Sequence, residues 1–195
     1  MTTTGILLAA AGAGRRYRAA GGQGNKLAQR LEGETTLFRQ SLINATQSGL
    51  PVQVLTRPDY TFIQQACRQM ETPCVPVASQ SLGETLATGV RLRDDWQGWI
   101  VLLADMPRIP PVIIRLVAQA LQRHASARPV WRGQPGHPVG FAGTTRDALL
   151  QLTQEEGARR VLQQFPPYLI PCDDPGVIYD IDLPLTPTEP FDAAP

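Results

Sequence analysis

Charge is scarce in this chain: of its 195 residues only 18% are Asp, Glu, Lys or Arg, and they nearly cancel, to a net +1. No long run of either sign accumulates. A bulk electrostatic grip on nucleic acid or anionic lipid is therefore excluded, and any anionic ligand must be caught by a local site. Long apolar runs are missing too. None reaches the roughly 18–20 residues that a membrane helix needs. The stretch from Ile6 to Ala11 is short, has no basic segment ahead of it, and does not fit a secretory signal. Cysteine is rare and odd in number, Cys67, Cys74 and Cys172, without CxxC spacing. These read as reduced thiols in a cytoplasmic protein. The two histidines, His124 and His137, are not spaced to join them in a zinc site.

What is present is enough for one domain with a full core. Hydrophobic residues make up 43% of the chain, which places it among globular proteins. We expect one domain over residues 1–185 and a loose, proline-rich tail over 186–195. Short apolar runs alternate with amphipathic stretches. Gly5–Ala10, Val52–Thr56, Cys74–Val77 and Trp99–Ala104 read as strands, the last as a central strand covered on both faces. Residues 36–48, Asp59 to about Gln69, Ser81 to about Arg93 and Pro110 to about His124 read as helices. Asp59 is the expected cap of the second, and Ser81-Leu82-Gly83-Glu84 has capping-box spacing for the third. Val130-Trp131 and Val139–Phe141 flank a turn, and two short helices follow, about 145–152 and 157–165. Tyr168–Ile170 and Val177–Tyr179 are expected as late strands. The alternation predicts an α/β fold with helices on both faces of the sheet. Ligands of such sheets sit at the C-terminal strand ends, near the point where strand order reverses.

Two loops therefore hold the chemistry. The first, Ala10-Ala11-Gly12-Ala13-Gly14-Arg15-Arg16, leaves the first strand and leads to Asn25-Lys26. Its small residues let backbone amides approach a phosphate, and the arginines add forked donors. Lys26 supplies a point charge for negative charge that builds up in a transition state. A dinucleotide fingerprint is excluded, since Tyr17 stands where its third glycine belongs; a Walker A loop is excluded, since Leu27 follows Lys26. The plain alternative is a flexible Gly/Arg surface loop. The second loop opens with Asp105, directly after the apolar strand. A carboxylate there suits Mg²⁺, which takes one or two carboxylates plus phosphate oxygens and water; a turn former before Pro107 is the alternative. Asp180 and Asp182 share a face if the last strand is regular, and one of them is a candidate second metal ligand, against a merely solvated chain end.

These motifs, with Leu103–Pro107, Pro135-Gly136-His137-Pro138 and Asp180–Pro184, resemble the molybdenum cofactor cytidylyltransferase family and its guanylyltransferase relatives. The resemblance runs from about residue 5 to 185. It implies a three-layer α/β/α Rossmann-like nucleotidyltransferase fold with a mostly parallel sheet. It implies transfer of CMP from CTP (or GMP from GTP) to the phosphate of molybdopterin, with Mg²⁺ and release of pyrophosphate. Carried over, Gly12, Ala13, Gly14 and Arg16 cradle the phosphates, and Lys26 stabilises the α-phosphate. Ala10 and Ala11 line the base pocket, and Asp105 and Asp182 hold the metal. Ala11, where guanylyl members tend to carry a second glycine, favours cytosine. The segment containing Ser81, Gly83 and Thr85 approaches the nucleotide from the opposite side, and Gly136, His137 and Pro138 face the pterin. On this reading Lys26, Arg16 and Asp105 are the catalytic residues, and a molybdenum hydroxylase is a plausible recipient of the product. For His137 the residues alone leave proton transfer, substrate contact and a structural role open.

The chain departs from the family pattern in two regions. Ala19-Ala20-Gly21-Gly22, with Arg18 beside it, lengthens the path from Arg16 to Lys26, and Glu155-Glu156-Gly157 stands where Gly-Asp-x-Gly is expected. Rival readings are a nucleotidyltransferase acting on a sugar phosphate or an isoprenoid-precursor phosphate, and a non-catalytic nucleotide-binding chaperone for molybdenum hydroxylases. A nicotinamide oxidoreductase is disfavoured by Tyr17 and by the lack of a ribose-binding acid after the second strand.

Overall fold

The computed structural model describes residues 3–31, 35–153 and 157–184. The tail expected from residue 186 and the Glu155-Glu156 pair lie outside them. Within them the chain builds one twisted sheet between two helical layers, as the alternation of elements predicts.

Strand β1 (Thr4–Ala10) pairs in parallel with β2 (Val52–Thr56) on one side and β4 (Gly98–Leu103) on the other. Beyond β2 lies the short edge strand β3 (Cys74–Pro76). Beyond β4 comes β7 (Val139–Ala142), which runs antiparallel, and then β5 (Ser126–Trp131). β5 also carries the two-residue β6 (Gln134–Pro135) and, in parallel, β8 (Tyr168–Pro171). The path is β3-β2-β1-β4-β7-β5-β6, so strand order reverses between β1 and β4. The loops leaving those two strands therefore face each other across the crevice where sheets of this kind bind ligands.

Alternation along the central strands sorts side chains into two cores. Ile6, Leu8, Ile100 and Leu102 point to one face, where α2 (Leu37–Gln47), α3 (Thr61–Gln69) and α5 (Pro111–Ala120) bring Phe38, Leu42, Ile63 and Ile114. Leu7, Trp99 and Val101 point to the other, against α4 (Leu82–Leu92), α6 (Arg146–Leu150) and α7 (Arg159–Gln164), through Leu86, Val90, Leu149 and Val161. β1, β2 and β4 are almost wholly buried, which is why their sequences read as continuous apolar runs rather than as alternating ones. Gly89 lets α4 lie close on the sheet: a Cβ there would stand 2.6 Å from Leu55 and 2.9 Å from Leu7.

Three expected elements are corrected. Asp59 does not cap α3; Tyr60 holds the cap position without a side-chain bond, and Asp59 instead accepts from Arg57 Nε at 3.1 Å. The strand expected at Val130-Trp131 begins earlier, at Ser126, because β8 pairs along Ala127–Val130. Val177–Tyr179 is not a strand. Pro175–Val177 is a 3-10 turn, fixed by the Asp174 carboxylate accepting from the Gly176 amide at 2.8 Å. Asp180-Ile181-Asp182 consequently follows an irregular path, pinned where the Ile181 amide donates to the Asp105 carbonyl at 3.0 Å.

Candidate active site

The loop after β1 turns sharply at Gly14, whose φ of 60° is a left-handed conformation that glycine adopts at little cost. Helix α1 (Arg15–Ala19) starts immediately after it. Among the described residues, none accepts a hydrogen bond from the amides of Gly12, Ala13 or Gly14, which leaves three donors for an anion. The Tyr60 hydroxyl donates to the Gly12 carbonyl at 2.9 Å and ties the loop to the β2–α3 connection. The inserted Ala19–Gly22 stretch folds back on Tyr17. A Cβ at Gly22 would stand 2.5 Å from that buried ring, and the Tyr17 hydroxyl donates to the Gln23 carbonyl. This inserted stretch is thus packed against Tyr17.

A cavity of about 270 Å³ opens beside this loop. Ala11, Gly12, Ala13 and Gly14 form one wall, Ser79, Gln80, Ser81, Leu82 and Thr85 the opposite wall, and Lys26, Arg57 and Asp105 line it as well. Ser81 caps α4, accepting from the Glu84 amide at 3.2 Å, while the Glu84 carboxylate accepts from the Gln80 amide at 2.7 Å. Buried Thr85 donates to the Ser81 carbonyl at 2.9 Å and lies 2.6 Å from Ser79 Oγ. This wall is therefore held by its own hydrogen bonds. Gln80 and Leu82 belong to the segment expected there, whereas Arg57, Ser79 and the Tyr60 contact were not among the expected site residues. Arg57 follows β2 as Asp105 follows β4, and strand ends were the available signal.

Two expected nucleotide-binding residues, Ala10 of the base pocket and Gly83 of the opposite segment, stand elsewhere. Ala10 is 1% exposed and its side chain packs in the core beneath the sheet. Gly83 is buried in the first turn of α4 and is not part of the cavity wall. For Ala10 this follows from alternation: Ala9 and Ala11 line the cavity, and Ala10 between them points to the other face.

Four charged groups meet where Lys26 and Asp105 line the cavity. Lys26 Nζ donates to Asp105 Oδ2 at 2.7 Å and to Asp182 Oδ1 at 3.0 Å. Arg16 Nη1 donates to Asp182 Oδ2 at 2.6 Å, from a side chain that is 82% exposed. Arg15 and Arg18 are exposed on α1. Burial alone would lower the Lys26 pKa, but Asp105 and Asp182 outweigh it and hold the ammonium above its ordinary value. Burial likewise works to raise the Asp182 pKa, and the bonds from Lys26 and Arg16 reverse this, so its carboxyl lies below the usual range. The Arg16 guanidinium is raised by the same bond to Asp182. Asp180, exposed as a residue, has its carboxyl pushed up by partial burial first and then by Asp182 and Asp105.

Gly136, His137 and Pro138 do not line the cavity. They precede β7, and since Val139 pairs antiparallel with Val101, they lie toward the end of β4 that carries Asp105. The His137 amide donates to the Val177 carbonyl at 2.7 Å, and its Nδ1 is buried without a partner. Burial, reinforced by Arg128 and opposed by Asp105, pulls the His137 pKa down to about 4. The ring is thus neutral at pH 7, which argues against a resting general acid.

Among the described residues, no three or more His, Cys, Asp or Glu side chains are grouped to hold a metal by themselves. Asp105 and Asp182 nevertheless converge on one cation, the Lys26 ammonium. That donor set fits a divalent ion that completes its shell with phosphate oxygens and water.

An open amide loop, a walled cavity and a pair of carboxylates thus stand together at the switch point of a mostly parallel sheet. Residues 5–168 match the MobA-like NTP transferase domain, and the chain belongs to that family. The fold is similar to that of Rv0371c from Mycobacterium tuberculosis H37Rv (20% identity, TM-score 0.79, covering 94% of both chains). That protein has also been solved in complex with manganese (18% identity, TM-score 0.73, covering 94% of this chain and 91% of the other). A nucleotidyl transferase from Methanothermobacter thermautotroptrophicus is similar as well (18%, TM-score 0.79, 94% and 93%). So is a 4-diphosphocytidyl-2C-methyl-D-erythritol synthase (17%, TM-score 0.70, 93% and 92%). No curated protein matches the chain in sequence. No helix among the described residues is long and apolar enough to cross a membrane.

Proposed function

We propose that this nucleotidyltransferase moves CMP from CTP to the terminal phosphate of molybdopterin and releases pyrophosphate. The observation that carries the reading is that Gly12–Gly14, Lys26 and Asp105 line one cavity, with Lys26 bonded to Asp105 and to Asp182. The base would lie between Ala11 and the Ser79–Thr85 wall, and the triphosphate would run past the loop toward Lys26. Ala11 supports cytosine. The Gly136-His137-Pro138 and Asp182-Leu183-Pro184 segments, similar to those of the molybdenum cofactor cytidylyltransferases, support the pterin acceptor.

The acceptor is already an anionic phosphate monoester and needs no strong base. Its oxygen attacks the α-phosphorus. The bond to the bridging oxygen of the β-phosphate breaks, and pyrophosphate leaves with that electron pair. Open amides, Lys26 and Arg16 offset the charge that gathers on the phosphates. Asp105 and Asp182 would hold Mg²⁺, which when bound neutralises charge and orients oxygens; the manganese complex of the mycobacterial relative supports a divalent ion here. We place the enzyme in the cytoplasm, with a molybdenum hydroxylase as recipient of its product.

Pyrophosphate release is measured with each of four nucleoside triphosphates, Mg²⁺ and molybdopterin. Release with CTP alone is expected. Release with GTP alone moves the base assignment to guanine. Release only when a sugar phosphate or an isoprenoid-precursor phosphate replaces molybdopterin overturns the acceptor, and binding of CTP without release makes the protein a carrier.

A further inference from the structure

Lys26 is the only lysine in the chain. Its side chain is just 11% exposed, and its ammonium bridges the two carboxylates that the proposed function gives to the metal. Arg16 takes the remaining oxygen face of Asp182. The same two cations are the ones expected to meet the triphosphate. They cannot hold the carboxylates and the phosphates with the same donors at once.

We infer that Lys26, helped by Arg16, is an internal counter-ion that closes the metal site until a nucleotide arrives. The inference rests on the reading of Asp105 and Asp182 as metal ligands. Lys26 and Arg16 set two positive charges directly against the Asp105 and Asp182 carboxylates, with Asp180 nearby. A divalent ion alone gains the carboxylates only by breaking three ion pairs and leaving a mostly buried ammonium facing a metal. A triphosphate offers that ammonium another anion. Lys26 then leaves Asp105 and Asp182, and those carboxylates become free to hold a divalent ion. Nucleotide and metal thereby raise each other's affinity, as linkage requires. The device keeps a carboxylate pair from collecting free cations and brings the metal in only when there are phosphates for it to neutralise.

Mn²⁺ alone is titrated into the protein by electron paramagnetic resonance, without nucleotide. Lys26→Met, which keeps the apolar stem, is expected to bind Mn²⁺ at least about tenfold more tightly than the unsubstituted protein, a difference of about 1.4 kcal/mol. Arg16→Ala, at an exposed position, is expected to give a smaller gain of the same sign. Adding Asp105→Asn to Lys26→Met should abolish the gain. If Lys26→Met and the unsubstituted protein bind Mn²⁺ equally, and Asp105→Asn weakens both, the counter-ion role is overturned while the metal site stands. If neither binds Mn²⁺ in an Asp105-dependent way, with or without CTP, the metal site falls and the inference with it. A second measurement needs no substitution. Lysine labelled with ¹⁵N gives one ε-ammonium resonance, which saturating CTP with Mg²⁺ should displace; an unmoved resonance overturns the inference.

Discussion

The cavity and its mouth are built on opposite principles. Apart from Arg57, the cavity residues that flank the loop and α4, Ala11 to Gly14, Ser79 to Leu82 and Thr85, carry no ionised side chain, and their hydroxyls are bonded to backbone groups or to each other. The mouth is almost all charge, with Lys26 and Arg16 closed on Asp105 and Asp182. The first region can recognise a ligand by shape and by backbone donors without reorganising. On the counter-ion reading, the second exchanges partners when a phosphate and a metal enter. Recognition and chemistry are thus placed on separate groups, and substitutions should separate them.

The largest effect is expected at the mouth. Asp105→Ala should lower turnover at saturating Mg²⁺ by at least about 10²-fold, the scale for losing a key electrostatic element, with a modest effect on CTP affinity measured without metal. Near-normal turnover would remove Asp105 from the chemistry.

A second effect concerns stability and the neutral ring of His137. Its folded pKa, about 4, lies below the ordinary 6.5. Between those values the unfolded chain binds a proton that the folded chain refuses. Stability is therefore full above about pH 6.5, falls as pH drops toward 4, and levels off below it, by up to about 3 kcal/mol. Asp182 acts in the same direction at lower pH: its depressed carboxyl stabilises the fold above the usual carboxylate range and ceases to do so as it protonates. Urea unfolding at a series of pH values should show the first fall, and His137→Gln should flatten it; an unchanged profile would mean that another group titrates there.

The smallest effect is expected in the cavity. Ala11→Leu should raise the KM for CTP about tenfold while kcat stays within about threefold, since added volume opposes binding of substrate and transition state alike. A loss confined to kcat would show that the neutral wall takes part in the chemistry and erase the contrast with the mouth.

Much of this was legible from residues in order. The strand–helix alternation and the apolar run at Trp99–Leu103 specify a covered, mostly parallel sheet. The small residues from Ala11 to Gly14 can be read because a tight turn after a buried strand has few other uses. Ser81 and Glu84 announce the start of α4. The late strand expected before Asp180–Asp182 does not form, because Asp174 and Gly176 build a turn there that no local alternation pattern announces. Asp59 has the chemistry of a cap, yet Arg57 is nearer to its carboxylate.

The sequence by itself determined the layers of the fold, the loop of small residues and the acid after the middle strand, because each is a local pattern that secondary structure turns into position. It could not determine that Lys26 meets Asp105 and Asp182, which lie 79 and 156 residues away along the chain. Nor could it show Arg57 and Ser79 at the same cavity. Those contacts arise where strand order reverses and an irregular C-terminal segment is tied to the Asp105 carbonyl. Only the packed sheet brings residues so far apart in the chain within reach of one ammonium group.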